Sequence, residues 1–249
     1  MARRRLKPAQ FDERMTLVEH LDELRNRIVA SGFVLVIAIA FCFWQDERLL
    51  DIANEPLPPG TPNPFTFSPT EPFFTTVKLA VYGGILISLP LLLYQVYAFV
   101  LPAFAPHERR LLLPFLLSVP VLFIAGAVFA YFVVMPAALN FLLGFNDEAF
   151  QIEVRASEYY GFFMLTLISV GILFQIPIGV LAVCRLGIVT PEQLAHNRRY
   201  AVLIIAVAAM LLPGTDPVTM LIAMAPLYLL FEFSLLLARG FGRPPDEAA

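Results

Sequence analysis

Four long apolar runs decide what this chain can become. Residues 28–44, 77–101, 111–135 and 159–184 carry one charge between them, Lys78. Each falls within or above the ~17–25 residues that a helix needs to cross the hydrocarbon core of a bilayer. Two weaker runs follow, 200–212 and 218–238, separated by "PGTDP". Composition agrees with a lipid solvent. The chain is 59% hydrophobic and only 15% charged, too apolar for one compact core beneath a polar surface. The net charge of −3 offers no basic face for nucleic acid. The N-terminal "MARRRLKPAQFDERM" is basic but lacks the apolar centre and small-residue cleavage site of a signal peptide, so the first run is expected to be retained.

The fifth run, at thirteen residues, spans only about 20 Å as a helix and is short for a bilayer. Flanking charge nevertheless makes it half of a hairpin: Arg198 and Arg199 precede the pair and Arg239 follows it. The six-span arrangement sorts all seventeen basic residues. Fourteen fall on one side, from Arg3, Arg4, Arg5 and Lys7 through Arg109, Arg110 and Arg185 to Arg243, and three, Arg48, Lys78 and Arg155, on the other. Such asymmetry marks the cytoplasmic side. The expected fold is therefore all-α, with six transmembrane helices, both termini cytoplasmic and the last two helices short. It forms one integral unit in the cytoplasmic membrane over residues 1–249: a cytoplasmic N-terminus at 1–27, the bundle at 28–238 and a tail at 239–249. The outer segment 45–76 is acidic and proline-rich ("EPLPPGTPNPFTFSPTEP") and suits an extended cap better than a helix. Residues 145–158 form a short acidic loop. No internal repeat supports the inverted-repeat plan of many transporters.

Motifs for nucleotide, zinc-hydrolase and serine-hydrolase chemistry are missing. His20, His107 and His196 lie at separate span ends, so neither a metal, a cofactor nor an enzymatic activity is expected. Cys42 and Cys184 fall at opposite ends of their spans, too far apart for a disulfide.

Chemistry concentrates instead where charge meets lipid. In "TLVEHLDELRNRI", Thr16 and Glu19 make a capping box that starts a helix at Leu17. Leu17, Leu21, Leu24 and Ile28 form an apolar stripe flanked by His20, Glu23 and Arg27 on one edge and Arg25 on the other. This helix is expected to run unbroken into the first span, setting Glu23 one turn from the hydrocarbon boundary. Such a carboxylate can attract a cation, or simply pair with Arg27 at i, i+4 on a solvated face. A second acid, Glu108, opens the third span in "LPAFAPHERR", where it either joins Glu23 or complements its helix dipole. Phe99 lies near the same depth.

The blocks "HLDELRNRI", "EPL", "SPTEPFFTTVKLA", "LPLLLYQVYAFVLPAFAPHERR", "AYFVVMPAAL" and "MLLPGTD" resemble the TatC family, in unbroken order from about residue 15 to 237. That family provides the multi-spanning subunit of the twin-arginine protein translocase. The resemblance implies a glove-shaped, concave six-helix bundle that receives twin-arginine signal peptides at its cytoplasmic face. It also implies TatA-like and TatB-like single-span partners, further copies of the chain, and transport of folded cargo driven by the proton-motive force. Its signal-binding carboxylates correspond to Glu23 and Glu108, with Arg25 and Phe99 beside them. The reading suits the chemistry, because an arginine fork engages a carboxylate at two points whereas a lysine is a point charge.

Two positions depart from the family pattern. Gln175 in "LFQIPIG" stands where members often carry an intramembrane acid, and Met220 stands where a polar residue is common early in the sixth span. Gln175 can still hydrogen-bond across helices. Met210, Leu211, Asp216 and Met220 are candidate contacts for a partner helix. The alternatives are plain lipid contact for the apolar three and a helix N-cap for Asp216, which precedes Pro217. Glu232, near the cytoplasmic end of the last span, faces a partner or snorkels. The chief alternative function is an ion- or proton-coupled small-molecule transporter, which calls for charged groups near the midplane. Gln175 is the only clear polar candidate there.

Overall fold

In the computed structural model the described residues are 17–100, 106–146, 152–185, 187–213 and 216–241; side chains are described within these except at 17–20, 100, 106–116 and 241. Ten α-helices account for most of them: α1 (Leu17–Trp44), α2 (Asp46–Asn54), α3 (Glu71–Val100), α4 (Pro106–Phe129), α5 (Met135–Gly144), α6 (Ala156–Leu173), α7 (Ile176–Arg185), α8 (Pro191–His196), α9 (Arg198–Met210) and α10 (Pro217–Phe241). Five segments are long and apolar enough to cross a membrane: Leu21–Trp44, Glu71–Phe99, Leu117–Gly144, Ala156–Arg185 and Pro217–Gly240.

The fifth expected span, α9, has 13 residues, or about 20 Å, and is short as expected. The helices correct three other expectations. The partner of α9, α10, is not short: it has 25 residues, about 37 Å, and runs through Pro226 without stopping. The third span does not end at Met135. A π-helical turn at Ala130–Val134 bonds the Met135 N–H to the Ala130 carbonyl, and the helix resumes through Pro136 to Gly144. The wider turn accommodates a residue that lacks an N–H, so the helix passes through this proline rather than ending at it. Finally, the expected extended cap begins with the helix α2, because "DERLLDIAN" contains no proline and the prolines start at Pro56.

Span four breaks where its sequence requires it. Pro177 cannot donate to the Leu173 carbonyl, and the helix divides at Phe174 and Gln175 into α6 and α7. Gln175 is buried and its Nε2 donates to the Val119 carbonyl on α4 at 3.3 Å. The expected cross-helix hydrogen bond is thus formed.

Glycines set the closest helix approaches. A Cβ at Gly84 would lie 2.7 Å from the Ile39 backbone, and one at Gly126 would lie 2.9 Å from the Gly171 Cα. Backbone-to-backbone packing of this kind holds α1 on α3 and α4 on α6, as small residues do in membranes. The core lies around α6, with Tyr159, Phe163, Met164 and Val170 buried against Leu79, Met135 and Leu227. The outward faces of α1 and α9 are apolar and exposed, with Phe33, Val36 and Ile37 on one and Leu203, Ile204 and Val207 on the other.

At one end of the bundle a polar clasp ties the proline-rich segment down. Phe65 N–H donates to the Val154 carbonyl, and Ala156 N–H to the Phe65 carbonyl, both at 2.9 Å. The Glu71 carboxylate accepts from Arg155 Nε at 2.8 Å, Ser157 Oγ at 2.7 Å and Phe67 N–H at 2.8 Å. The Arg155 guanidinium is held above its ordinary pKa, chiefly by this hydrogen bond with Glu71. Tyr131 Oη reaches the Ile52 carbonyl and Glu55 Oε2, each at 3.0 Å, so the π-turn also anchors the α2 cap.

Candidate functional site

Helix α1 begins at Leu17 and continues without interruption through the change from charged to apolar sequence. Thr16, the expected cap, lies outside the described residues. The unbroken helix puts Glu23 and Arg27 one turn apart, and both Arg27 Nε (2.9 Å) and Nη2 (2.6 Å) donate to Glu23 Oε1. Arg27 Nη1 donates in turn to Gln95 Oε1 on α3, at 2.5 Å. The ion pair is partly shielded, with side-chain exposures of 26% for Arg27 and 22% for Glu23. It borders a cavity of about 520 Å³ lined by Asp22, Glu23, Asn26, Arg27, Ala30 and Gln95.

The structure joins some of the expected residues and separates others. Phe99 is half-buried and lies one helical turn beyond Gln95 on α3, so the two share a face. Arg25 is exposed and does not line the cavity; two residues past Glu23, it lies about 200° around the helix. Glu108 belongs to α4, but its side chain is outside the described ones. Gln95 was missed in the sequence, although a lone amide in an apolar span is itself a signal of a polar partner. Asp22 and Asn26 carried no such signal, since charged and amide residues are ordinary on a polar helix.

A second cavity, about 610 Å³ and mostly apolar, opens between α3 and α4. Leu86, Ile87 and Pro90 line one wall, Phe123 and Ala127 the other, and Glu55 with Tyr131 closes one end.

The last two helices place the remaining candidates. Met210 and Leu211 are 58% and 80% exposed, and Met220 is half-buried. Asp216 is buried and caps α10, accepting from Thr219 N–H at 2.7 Å and from the Thr219 hydroxyl. Glu232 accepts from Arg198 Nη2 at 3.1 Å and from Tyr228 Oη at 2.9 Å, which pins α9 to α10. Cys42 and Cys184 are both buried and unbridged.

Comparison with known proteins gives these positions a family. The family model described as Sec-independent protein translocase protein (TatC) matches residues 19–226. A protein from Aquifex aeolicus with that description is 36% identical over 94% of this chain and 98% of its own length. Its Escherichia coli K12 counterpart is 35% identical over 95% and 94%. A crystal structure described as the twin arginine translocase receptor TatC superposes with a TM-score of 0.75, at 35% identity, over 90% of this chain and all of that one. Relatives at this identity and coverage do not suit a small-molecule transporter. The chain is a multi-pass integral membrane protein, and it belongs to the TatC family.

Proposed function

We propose that this chain is the receptor subunit of a twin-arginine translocase in the cytoplasmic membrane, and that the cavity beside Glu23 receives an arginine of the signal peptide. One observation carries the reading: the Glu23 carboxylate already holds a guanidinium, through two N–H groups at 2.9 and 2.6 Å. A group that accepts an internal arginine in this way is built for the same group on a ligand. Partial burial matters to the strength, because an exposed ion pair contributes at most about 1 kcal/mol. A charge-assisted bond in a partly desolvated site reaches about 1.5–3 kcal/mol. Glu108 takes the second arginine, with Phe99 at the rim of the site and Arg25 on the opposite face of α1. The apolar cavity between α3 and α4 accommodates the signal's apolar stretch.

The wider arrangement follows the same reading. Six spans place both termini in the cytoplasm, and residues 1–249 form one glove-shaped concave unit that acts as a docking platform. Single-span TatA-like and TatB-like partners pack against Met210, Leu211 and Met220, where α9 is too short to match the bilayer and thins it; Asp216 holds the start of α10 there. Further copies of the chain and surrounding lipid complete the assembly. The proton-motive force drives export of folded cargo.

Co-purification with a twin-arginine precursor and, in parallel, its double-lysine counterpart tests the reading. Recovery of the first and loss of the second is expected; equal recovery would remove the receptor function.

A further inference from the structure

We propose that Arg185 anchors a phospholipid site, binding the phosphate group of a lipid at the membrane boundary where the fourth span ends. The inference does not depend on the reading of Glu23. Arg185 closes both α7 and the apolar segment Ala156–Arg185. It continues the buried side of α7 marked by Ile178, Leu181 and Cys184, and is itself only 7% exposed. Among the described residues its guanidinium forms no hydrogen bond and no ion pair, and its Nε is enclosed without a partner. A buried charge without a counter-group is costly, and at the end of a membrane helix the arginine relieves that cost by reaching toward the headgroups.

The roles that the chain itself offers an arginine here are already filled. The end of α7 does not need its side chain as a cap. Gly187 N–H donates to the Cys184 carbonyl at 3.1 Å and Ile188 N–H to the Val183 carbonyl at 3.2 Å, with Gly187 at φ +70°. Glu232 lies on α10, the helix on which α7 packs, but its carboxylate is taken by Arg198 and Tyr228. Glu192 on α8 is exposed and does not pair with Arg185. Arg239 adds a second cation in the last turn of α10, and Ile188, 67% exposed, offers apolar surface beside the site. A guanidinium fork matches the oxygens of a phosphate, and basic positions between membrane helices at the cytoplasmic face are where anionic headgroups bind. The proposed topology puts this phosphate in the cytoplasmic leaflet; the opposite orientation would change the leaflet and not the pairing.

The test uses the full chain in neutral, phosphate-free detergent, stripped of lipid and titrated with one of three probes: phosphatidylglycerol, diacylglycerol with the same acyl chains, or inorganic phosphate. Binding is read by native mass spectrometry and stability by thermal unfolding. The parent should retain phosphatidylglycerol and unfold at a higher temperature as it binds; diacylglycerol and inorganic phosphate should do neither. Arg185→Leu should lower the affinity for phosphatidylglycerol about tenfold, the effect of one charge-assisted contact. Arg185→Lys should lower it by a smaller factor, since the charge stays and the fork is lost. Without lipid, Arg185→Leu should unfold at or above the parental temperature, because the change removes an uncompensated buried charge and no contact. A lower unfolding temperature for the lipid-free Leu variant would give Arg185 a partner within the chain and overturn the proposal. Equal phosphatidylglycerol binding by parent and Leu variant would overturn it as well, as would an equal response to diacylglycerol or a response to inorganic phosphate alone.

Discussion

Asp216 accepts two hydrogen bonds from Thr219, and these satisfy donors that the first turn of α10 would otherwise leave open. Asp216→Ala should cost about 1 kcal/mol, the usual effect of losing an N-cap. Asp216→Asn should retain most of the effect. Hydrogen exchange at Val218–Met220 is the direct readout, since fraying of this turn should speed exchange there in the Ala variant alone. Residue-scale chemistry of this local kind was legible in the sequence: Asp before Pro is a helix start, and Glu23 with Arg27 is an i, i+4 pair. The contact between Arg27 and Gln95 was not. It spans 68 positions and depends on how far α1 is advanced along α3, which no local spacing encodes. Gln175 lies between these cases. Its need for a cross-helix partner could be read from an amide in an apolar run, whereas the choice of the Val119 carbonyl could not.

Elements were legible where hydropathy alone defines them and less so where backbone chemistry intervenes. The unbroken α1 followed from a capping signal running into an apolar segment. The π-turn before Pro136 did not follow, because a proline in a membrane helix signals a stop, a kink or a bulge with equal force in the sequence. The bounds of α10 were legible to within three residues, 218–238 against Pro217–Phe241, although the helix was expected to be short. Packing of α1 on α3 depends on Gly84, whose missing side chain lets the backbones meet at Ile39. Gly84→Val should push α1 outward, destabilise the chain by about 1–3 kcal/mol as overpacking does, and separate Arg27 from Gln95. Thermal unfolding in detergent checks the first effect. Distance measurement between spin labels at positions 30 and 92 checks the second, with an increase expected; an unaltered distance together with parental stability would show that the interface yields elsewhere.

At the scale of the whole molecule, the proposed topology puts the Glu23 cavity on the cytoplasmic side and the Glu71–Arg155 clasp outside. In a cysteine-free background, single cysteines within 57–70 should react with an impermeant thiol reagent added from outside. Those at 103–106 should react only after the membrane is opened. The reverse pattern would move the proposed receptor site to the wrong compartment. The short α9 leads to a second expectation at this scale. Photo-crosslinkers at Met210 and Leu211, both strongly exposed, should capture a single-span partner helix. Adducts with lipid alone would remove the partner surface from this edge.

The account stands most directly on Glu23 and a signal arginine meeting one another, and a double-mutant cycle measures that meeting. Binding is determined for parent and Glu23→Gln chains against a twin-arginine signal peptide and variants with either arginine changed to glutamine. One of the two arginines should couple to Glu23 by about 1.5–3 kcal/mol, the range of a charge-assisted hydrogen bond. Effects that add for both arginines, with coupling below about 0.5 kcal/mol, would contradict the claim and leave Glu23 as a structural partner of Arg27.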